Sequence, residues 1–178
     1  MKPIQIRSET LRDIELVQRL YAKGFPDSPE GTIVQQLRRN CHDYYAWVAV
    51  DPTDNEQIVG HVLLTLALLK PDDHSPPVEG LGLAPLLVDP NWRSQGIGSQ
   101  LVYHALNAAH FMHHNFIVVL GHPDYYHRFG FMTASSWGLH TEYPDVPDDA
   151  FMVNLIHPDS LKGKTGTVFY RPEFAAAL

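Results

Sequence analysis

Apolar and polar positions fall into runs of two distinct periods along this chain. Ile4-Gln5-Ile6 alternates and predicts a short strand. Leu11, Ile14, Val17, Leu20 and Tyr21 recur at helical spacing. Ser8 or Thr10 stands where a cap belongs, and Lys23-Gly24 followed by Pro26 ends the helix. Ile33, Val34 and Leu37 predict a second, shorter helix over 31–39. The loop between the helices, Phe25 to Glu30, is a candidate substrate-side loop or a plain connector. Tyr44–Val50 and Ile58–Lys70 read as strands about the turn Pro52-Thr53-Asp54-Asn55, an antiparallel hairpin. Val78–Val88 is a further strand, interrupted by Gly80, Gly82 and Pro85, which calls for a bulge or a splayed edge.

The clearest helix runs from Ile97 to about Met112, with Ile97, Leu101, Val102, Ala105, Leu106, Ala109 and Met112 on its apolar face. Asn115–Leu120 is a buried β-run, so strand, helix and strand form a right-handed βαβ unit. A short helix over 124–129 and a strand opening at Phe131 follow. Beyond them the pattern weakens: an acidic, proline-bearing loop at 143–149, then strands near 151–157 and 163–169.

Composition changes this picture little. The chain has 178 residues, 44% of them hydrophobic and 19% charged, which suits one domain over 1–178 with a real core. A formal charge of −7 disfavours a nucleic-acid backbone as partner. It would tolerate a cationic amine. Cys41 is the single cysteine, so no internal disulfide forms, and a buried apolar role in a reducing cytoplasm is expected. The N-terminus lacks a signal-peptide pattern, and the apolar run Ile58–Leu69 is too short to span a bilayer.

The candidate chemistry sits between Leu83 and Leu101. An apolar strand ends at Asp89-Pro90, a polar loop holds Gly96 and Gly98, and a helix starts. Loop amides and the positive helix end converge there on an anion. A P-loop fails, because no Lys-Ser/Thr follows Gly98. The dinucleotide fingerprint fails at Leu101, where its third glycine belongs. Arg93-Ser94-Gln95-Gly96-Ile97-Gly98 matches [Q/R]-x-x-G-x-[G/A] in full. That segment resembles the acyl-CoA pyrophosphate loop of the GNAT N-acetyltransferase superfamily. Tyr125-Tyr126-His127-Arg128-Phe129-Gly130-Phe131 is similar to the same family's Y-x-x-x-G-F segment, and the stretch from Gly121 on looks closest to a small bacterial predicted-acetyltransferase branch.

The resemblance implies an α/β (α+β) fold: a mixed, mostly antiparallel sheet flanked by helices and splayed between its fourth and fifth strands. It implies a core over about 3–135 and a branch-specific extension over 136–178, either a lid or an added strand. It implies acetyl-CoA as co-substrate and no metal. Backbone at Leu86, Leu87 and Val88 would pair with pantetheine, and an N–H near Leu87 would polarise the thioester. Arg93, Ser94, Gln95, Gly96, Ile97, Gly98 and Ser99 would hold the pyrophosphate. Tyr126 would be the general acid at the sulfur. The family's Asn-x-x-Ala is missing, with Val119 and His122 in its place.

A base is harder to find. The usual position falls near Gly82, which has no side chain; Glu79 and His122 are the candidates, and ordered water could serve instead. His110, His113 and His114 share helical spacing, yet no nearby carboxylate completes a metal set. The expected reaction is transfer of an acetyl group to the amine of a small-molecule or peptide acceptor by direct attack. A non-catalytic acyl-CoA sensor would keep the same loop. A homodimer is the default assembly for an enzyme of this size.

Overall fold

The computed structural model describes residues 3–26, 29–41, 43–54, 56–161 and 163–176. Residues 27 and 28 of the candidate substrate-side loop, and Asn55 of the hairpin turn, lie outside the described residues. In chain order come β1 (Gln5–Ser8), α1 (Ile14–Gly24), α2 (Glu30–Asn40), β2 (Tyr44–Asp51), β3 (Gln57–Pro71), β4 (Val78–Val88), α3 (Ile97–Phe111), β5 (Phe116–Leu120), α4 (Pro123–Tyr126), β6 (Met132–Thr133), β7 (Leu139–Thr141), β8 (Phe151–Leu155) and β9 (Gly166–Phe169). The strands hydrogen-bond in the order β1-β2-β3-β4-β5-β8-β6, with β9 on β3 and β7 on β9. β1–β2, β3–β9, β5–β8 and β6–β8 are antiparallel; β4–β5 and β7–β9 are parallel. The mixed, mostly antiparallel sheet expected from the sequence is therefore present.

The chain forms two compact units. One comprises Met1–Leu64, Pro85–Ala105 and Glu173–Ala177. Its apolar helix stripes bury Val17, Leu20, Ile33, Val34 and Leu37, its strands bury Val48, Val62 and Leu63, and α3 buries Ile97 and Leu101. Cys41 is a buried free thiol here, as its composition suggests. The other unit comprises Thr65–Ala84, Leu106–Pro172 and Leu178. Phe116, Val118, Phe131, Leu139, Met152, Val153 and Val168 fill its interior. β8 is buried at three successive residues, Phe151, Met152 and Val153, and does not alternate, because it lies inside the sheet, paired with β5 from Phe116↔Leu155 to Leu120↔Phe151. β9 is an added strand on β3.

β4 is continuous despite its glycines and Pro85. A Cβ on Gly80 would meet the Phe116 ring at 2.5 Å, so glycine there lets a fully buried aromatic lie against the strand. The β4–β5 pairing covers Leu81↔Ile117 and Gly82↔Val118 only. From Leu83 onward the strand has no β5 partner, which is the splay expected from Pro85.

The start of α1 carries its own electrostatic lock. Asp13 accepts from Arg7 Nη1 and Nη2 at 2.7 and 2.9 Å, and from the Thr10 N–H and hydroxyl at 2.7 and 2.8 Å. Arg7, opposed by burial and helped by Thr10, holds this carboxyl down to about 2. A depressed carboxylate stabilises the fold above its ordinary pKa and loses that contribution as pH falls through the folded value. Asp13→Asn should therefore lower Tm at pH 7 by about 4 °C. The gap to wild type should close between pH 4 and 2, read by thermal melts across that range.

Candidate functional site

The strand-to-loop junction is pinned at Asp89. Its N–H donates to Val59 O at 2.8 Å, extending the β3–β4 ladder. Its buried carboxylate accepts from Lys23 Nζ at 2.9 and 2.7 Å and from the Asn91 N–H at 2.9 Å. Pro90 then starts a single 3-10 turn, Pro90–Trp92, which Asp89 caps. This explains why Asp-Pro ends the strand: the carboxylate satisfies the turn's first free amide, and Pro occupies the position that needs none.

Beyond Trp92 the backbone enters the left-handed region twice, at Ser94 (φ 61°) and Gly96 (φ 79°). Such turns build anion-binding concavities from successive N–H groups. A Cβ on Gly96 would meet nothing within 4 Å, so the glycine answers to backbone conformation and leaves open space beside it. Ile97, 2% exposed, anchors the first turn of α3. The first helical bond is Gln100 N–H to Gly96 O at 3.0 Å. The amides of Ile97, Gly98 and Ser99 therefore have no carbonyl inside the helix to bond. Arg93, Ser94, Gln95 and Gly96 are exposed. Arg93 Nε donates to Val88 O at 3.4 Å, so this side chain braces the loop against the strand it leaves.

Strand alternation decides which β4 groups face outward. Asp89 N–H points to β3, and Leu87 O lies 3.3 Å from where a Gly60 Cβ would be. Leu87's backbone is thus turned toward β3, and its side chain packs against Gly24. The amides of Leu86 and Val88 turn the other way, to the edge that β5 has left. The Leu87 backbone therefore does not face that edge.

Tyr126 closes α4. It is 8% exposed, with edge-on contacts to the rings of Tyr125 (4.9 Å), Phe131 (5.5 Å) and Phe129 (6.4 Å). A Cβ on Gly121 would stand 2.5 Å from Tyr126 Cε2, so the glycine after β5 makes room for the phenol. Burial, then the neighbouring Tyr125, raises the Tyr126 pKa well above its ordinary value, so it remains a proton-bearing hydroxyl at neutral pH. Gly130 is left-handed (φ 83°), and Phe129 O accepts from Asn154 Nδ2 at 3.0 Å. Arg128 lies over the Tyr125 ring at 4.2 Å. The aromatic segment is held from several sides.

Residues 42–133 match the model of the acetyltransferase (GNAT) domain family. Over 169 residues, 95% of this chain, the protein is 32% identical to the uncharacterized N-acetyltransferase YhbS of Escherichia coli K12, covering 97% of that relative. The chain belongs to the GNAT acetyltransferase family. A crystal structure of E. coli YhbS in complex with CoA superimposes with a TM-score of 0.89 at 31% identity, covering 98% of this chain and 93% of that one. A GNAT acetyltransferase from Brucella melitensis in complex with acetyl-CoA shares the fold, with a TM-score of 0.75 at 24% identity over 98% of this chain and 99% of that one. The protein is accordingly an acyl-CoA-dependent N-acetyltransferase.

The remaining candidates of this GNAT enzyme scatter. Glu79 is exposed near the start of β4, and its backbone carbonyl accepts from Asn115 Nδ2 at 2.9 Å. It lies nine residues before Val88 in the sequence. His122 is exposed, and its carbonyl accepts the Tyr125 and Tyr126 amides at 3.0 and 3.2 Å at the start of α4. The space above Gly82 is occupied by the ring of Tyr170. His110 and His113 lie beside the His157 ring, at 5.7 and 6.4 Å. Among the described residues no three His, Cys, Asp or Glu side chains group to hold a metal, and no helix is long and apolar enough to cross a membrane. A cavity of about 520 Å³ lined by residues including Glu9, Leu11, Tyr44 and Trp47 contains no residue of the glycine loop.

Two structural features were not legible in the sequence: the Tyr170 ring beside Gly82, and a buried polar chain of Glu9, His61, Tyr21 and Arg38. Its available signal was His61 itself, a polar residue inside an otherwise apolar strand run, which must find buried partners.

Proposed function

We propose that this GNAT transferase moves an acetyl group from acetyl-CoA to a primary amine by direct attack, with the glycine loop, the free edge of β4 and Tyr126 in three separate roles. The observation that carries the reading is the loop's backbone: left-handed at Ser94 and Gly96, exposed, and feeding directly into the unbonded first-turn amides of a 15-residue helix. That donor set fits a diphosphate. Amides from Ser94 to Ser99 hold it, and Arg93 braces the loop. Leu86 and Val88 present backbone groups along the β4 edge to an amide-bearing chain such as pantetheine, as an added strand would.

When bound, acetyl-CoA supplies a thioester carbonyl open to attack and a thiolate leaving group. An edge amide of β4, Leu86 or Val88, polarises the carbonyl oxygen as negative charge grows there. The amine nitrogen bonds the carbonyl carbon and the C–S bond breaks. Tyr126 gives its hydroxyl proton to the sulfur and regains one from solvent. Water takes the proton that the nitrogen loses. Glu79 and His122 stay outside this scheme, because one stands at the far end of β4 and the other contributes its backbone to α4. The acceptor is a small-molecule or peptide amine, the assembly a homodimer, and the compartment a reducing cytoplasm, in keeping with the single buried thiol.

Gly96→Val tests the loop. A β-branched residue at φ 79° is strained by about 1–3 kcal/mol, and relaxing that strain re-aims the amides. The dissociation constant for CoA should rise at least about tenfold by calorimetry. Equal affinity in the variant and wild type would remove the loop from the cofactor's binding site.

A further inference from the structure

From Pro85 to Gln100 the sequence holds two charged residues, Asp89 and Arg93, and they have opposite signs. The Asp89 side chain is 5% exposed. Its carboxylate accepts the Asn91 N–H at 2.9 Å, and its carbonyl oxygen accepts the Trp92 N–H at 2.7 Å. Asp89 is thus built into the turn that opens the glycine loop. A buried carboxylate at this place opposes what the loop is shaped to hold. Its field repels a diphosphate and cancels that of Arg93, four residues on. Lys23 answers it. This lysine lies in the last turn of α1, and its Nζ stands 2.9 and 2.7 Å from the two Asp89 oxygens. The next residue, Gly24, sets the approach: a Cβ there would lie 2.6 Å from Leu87 Cδ1, so the glycine lets the end of α1 lie against the Leu87 side chain. Lys23, Gly24, Leu87, Asp89 and the loop all belong to the same compact unit.

Resting on the cofactor reading above, we propose that Lys23 is a positioning residue that acts through Asp89: it neutralises the buried carboxylate, so that the loop meets the donor's diphosphate with the positive charge of Arg93 unopposed. Asp89 caps the turn through an oxygen, a task that a neutral acceptor also performs. Its charge works against anion binding, and the lysine removes that effect. In a chain of formal charge −7, a diphosphate is drawn to this loop by local groups and not by the net charge. A brace and a neutraliser respond differently to substitution. A brace holds the loop through the ion pair itself, so loss of either partner weakens binding. A neutraliser is needed only while the carboxylate is present, so loss of the lysine weakens binding and loss of both charges does not.

Calorimetric binding of CoA to wild type, Lys23→Met, Asp89→Asn and the double variant, at about 50 mM salt, tests the proposal. Lys23→Met should weaken binding about tenfold, the effect of one uncompensated charge beside the site. The double variant should return to within about threefold of wild type, because the amide oxygen of Asp89→Asn still accepts the Asn91 N–H and carries no charge. Asp89→Asn alone should bind at least as tightly as wild type, and Lys23→Arg should keep wild-type affinity. At about 0.5 M salt the Lys23→Met deficit should shrink to less than about threefold. Where Asp89→Asn fails to fold, Asp89→Ser supplies another neutral cap for the same comparison. A double variant as weak as Lys23→Met overturns the proposal, since Lys23 would then brace the loop or bind phosphate itself. Wild-type affinity in Lys23→Met overturns it as well. Wild type that binds no CoA overturns the cofactor reading, and this proposal with it.

Discussion

Tyr126→Phe should lower kcat about 100-fold, within the range typical of a lost general acid, while the dissociation constant for CoA should stay within twofold of wild type. The substitution deletes one oxygen and keeps the ring. The edge-on contacts to Tyr125, Phe129 and Phe131, and the fit over Gly121, all depend on the ring. Folding should therefore be preserved, and the loss should fall on the chemical step. Burial raises the Tyr126 pKa, so the hydroxyl carries its proton when a thiolate forms, although the same burial makes it a weaker acid. The measurement is thiol release from acetyl-CoA with the primary amine that turns over fastest in a panel. An unchanged kcat would leave Tyr126 as a packed aromatic and give the departing sulfur's proton to water.

Glu9→Ala destabilises the fold by about 3–5 kcal/mol, the loss expected when one partner of a buried ion pair is removed. Glu9 accepts from Arg38 Nε at 3.1 Å, Arg38 Nη2 at 2.8 Å and His61 Nε2 at 2.7 Å. The side chains are 6%, 8% and 0% exposed for Glu9, Arg38 and His61. Burial alone would raise the Glu9 pKa; the hydrogen bonds from His61 and Arg38 reverse this and hold it below its ordinary value. Burial lowers the pKa of His61 despite Glu9, so His61 is neutral. With Nε2–H donated to the carboxylate, Nδ1 is the acceptor for the Tyr21 hydroxyl at 2.9 Å. Removing Glu9 leaves a guanidinium buried without its counter-charge and an imidazole N–H without an acceptor. Chemical denaturation at pH 7 reads the loss, and Glu9→Gln should lie between wild type and Glu9→Ala. Because His61 is neutral in the fold and protonates when unfolded, stability should also decline as pH falls below about 6.5. An Ala variant within about 1 kcal/mol of wild type would mean that Arg38 and His61 find other partners.

The features legible in the sequence are those whose cause is local. β4, α3 and β5 were readable because uniform apolar runs and helical spacing mark them, and the glycine loop was readable because its turn is made by its own backbone, left-handed at Ser94 and Gly96. A left-handed turn needs Gly96 wherever the rest of the chain goes. The short helical segment from Pro123 to Gly130 was readable because its spacing is local. Partners that depend on long-range pairing were not readable. β8 reads as a strand, but nothing local says that it lies beside β5. β7 and the 3-10 turn Ala134–Trp137 have too few residues to show a period. Tyr170 reaches Gly82 only because β9 pairs with β3, a contact between residues about a hundred positions apart. The absence of a side chain at Gly82 was visible in the sequence, but what filled the gap was not. Glu79 is exposed near the start of β4, a position that the apolar run of the strand does not reveal.

Direct attack of an amine on the thioester, with no acetylated enzyme between, is the central claim. Initial velocities of thiol release, with acetyl-CoA and a primary amine both varied, test it most directly. The double-reciprocal lines should intersect, as expected when both substrates are bound before any product leaves. Parallel lines, the signature of a covalent acetyl-enzyme, would contradict it.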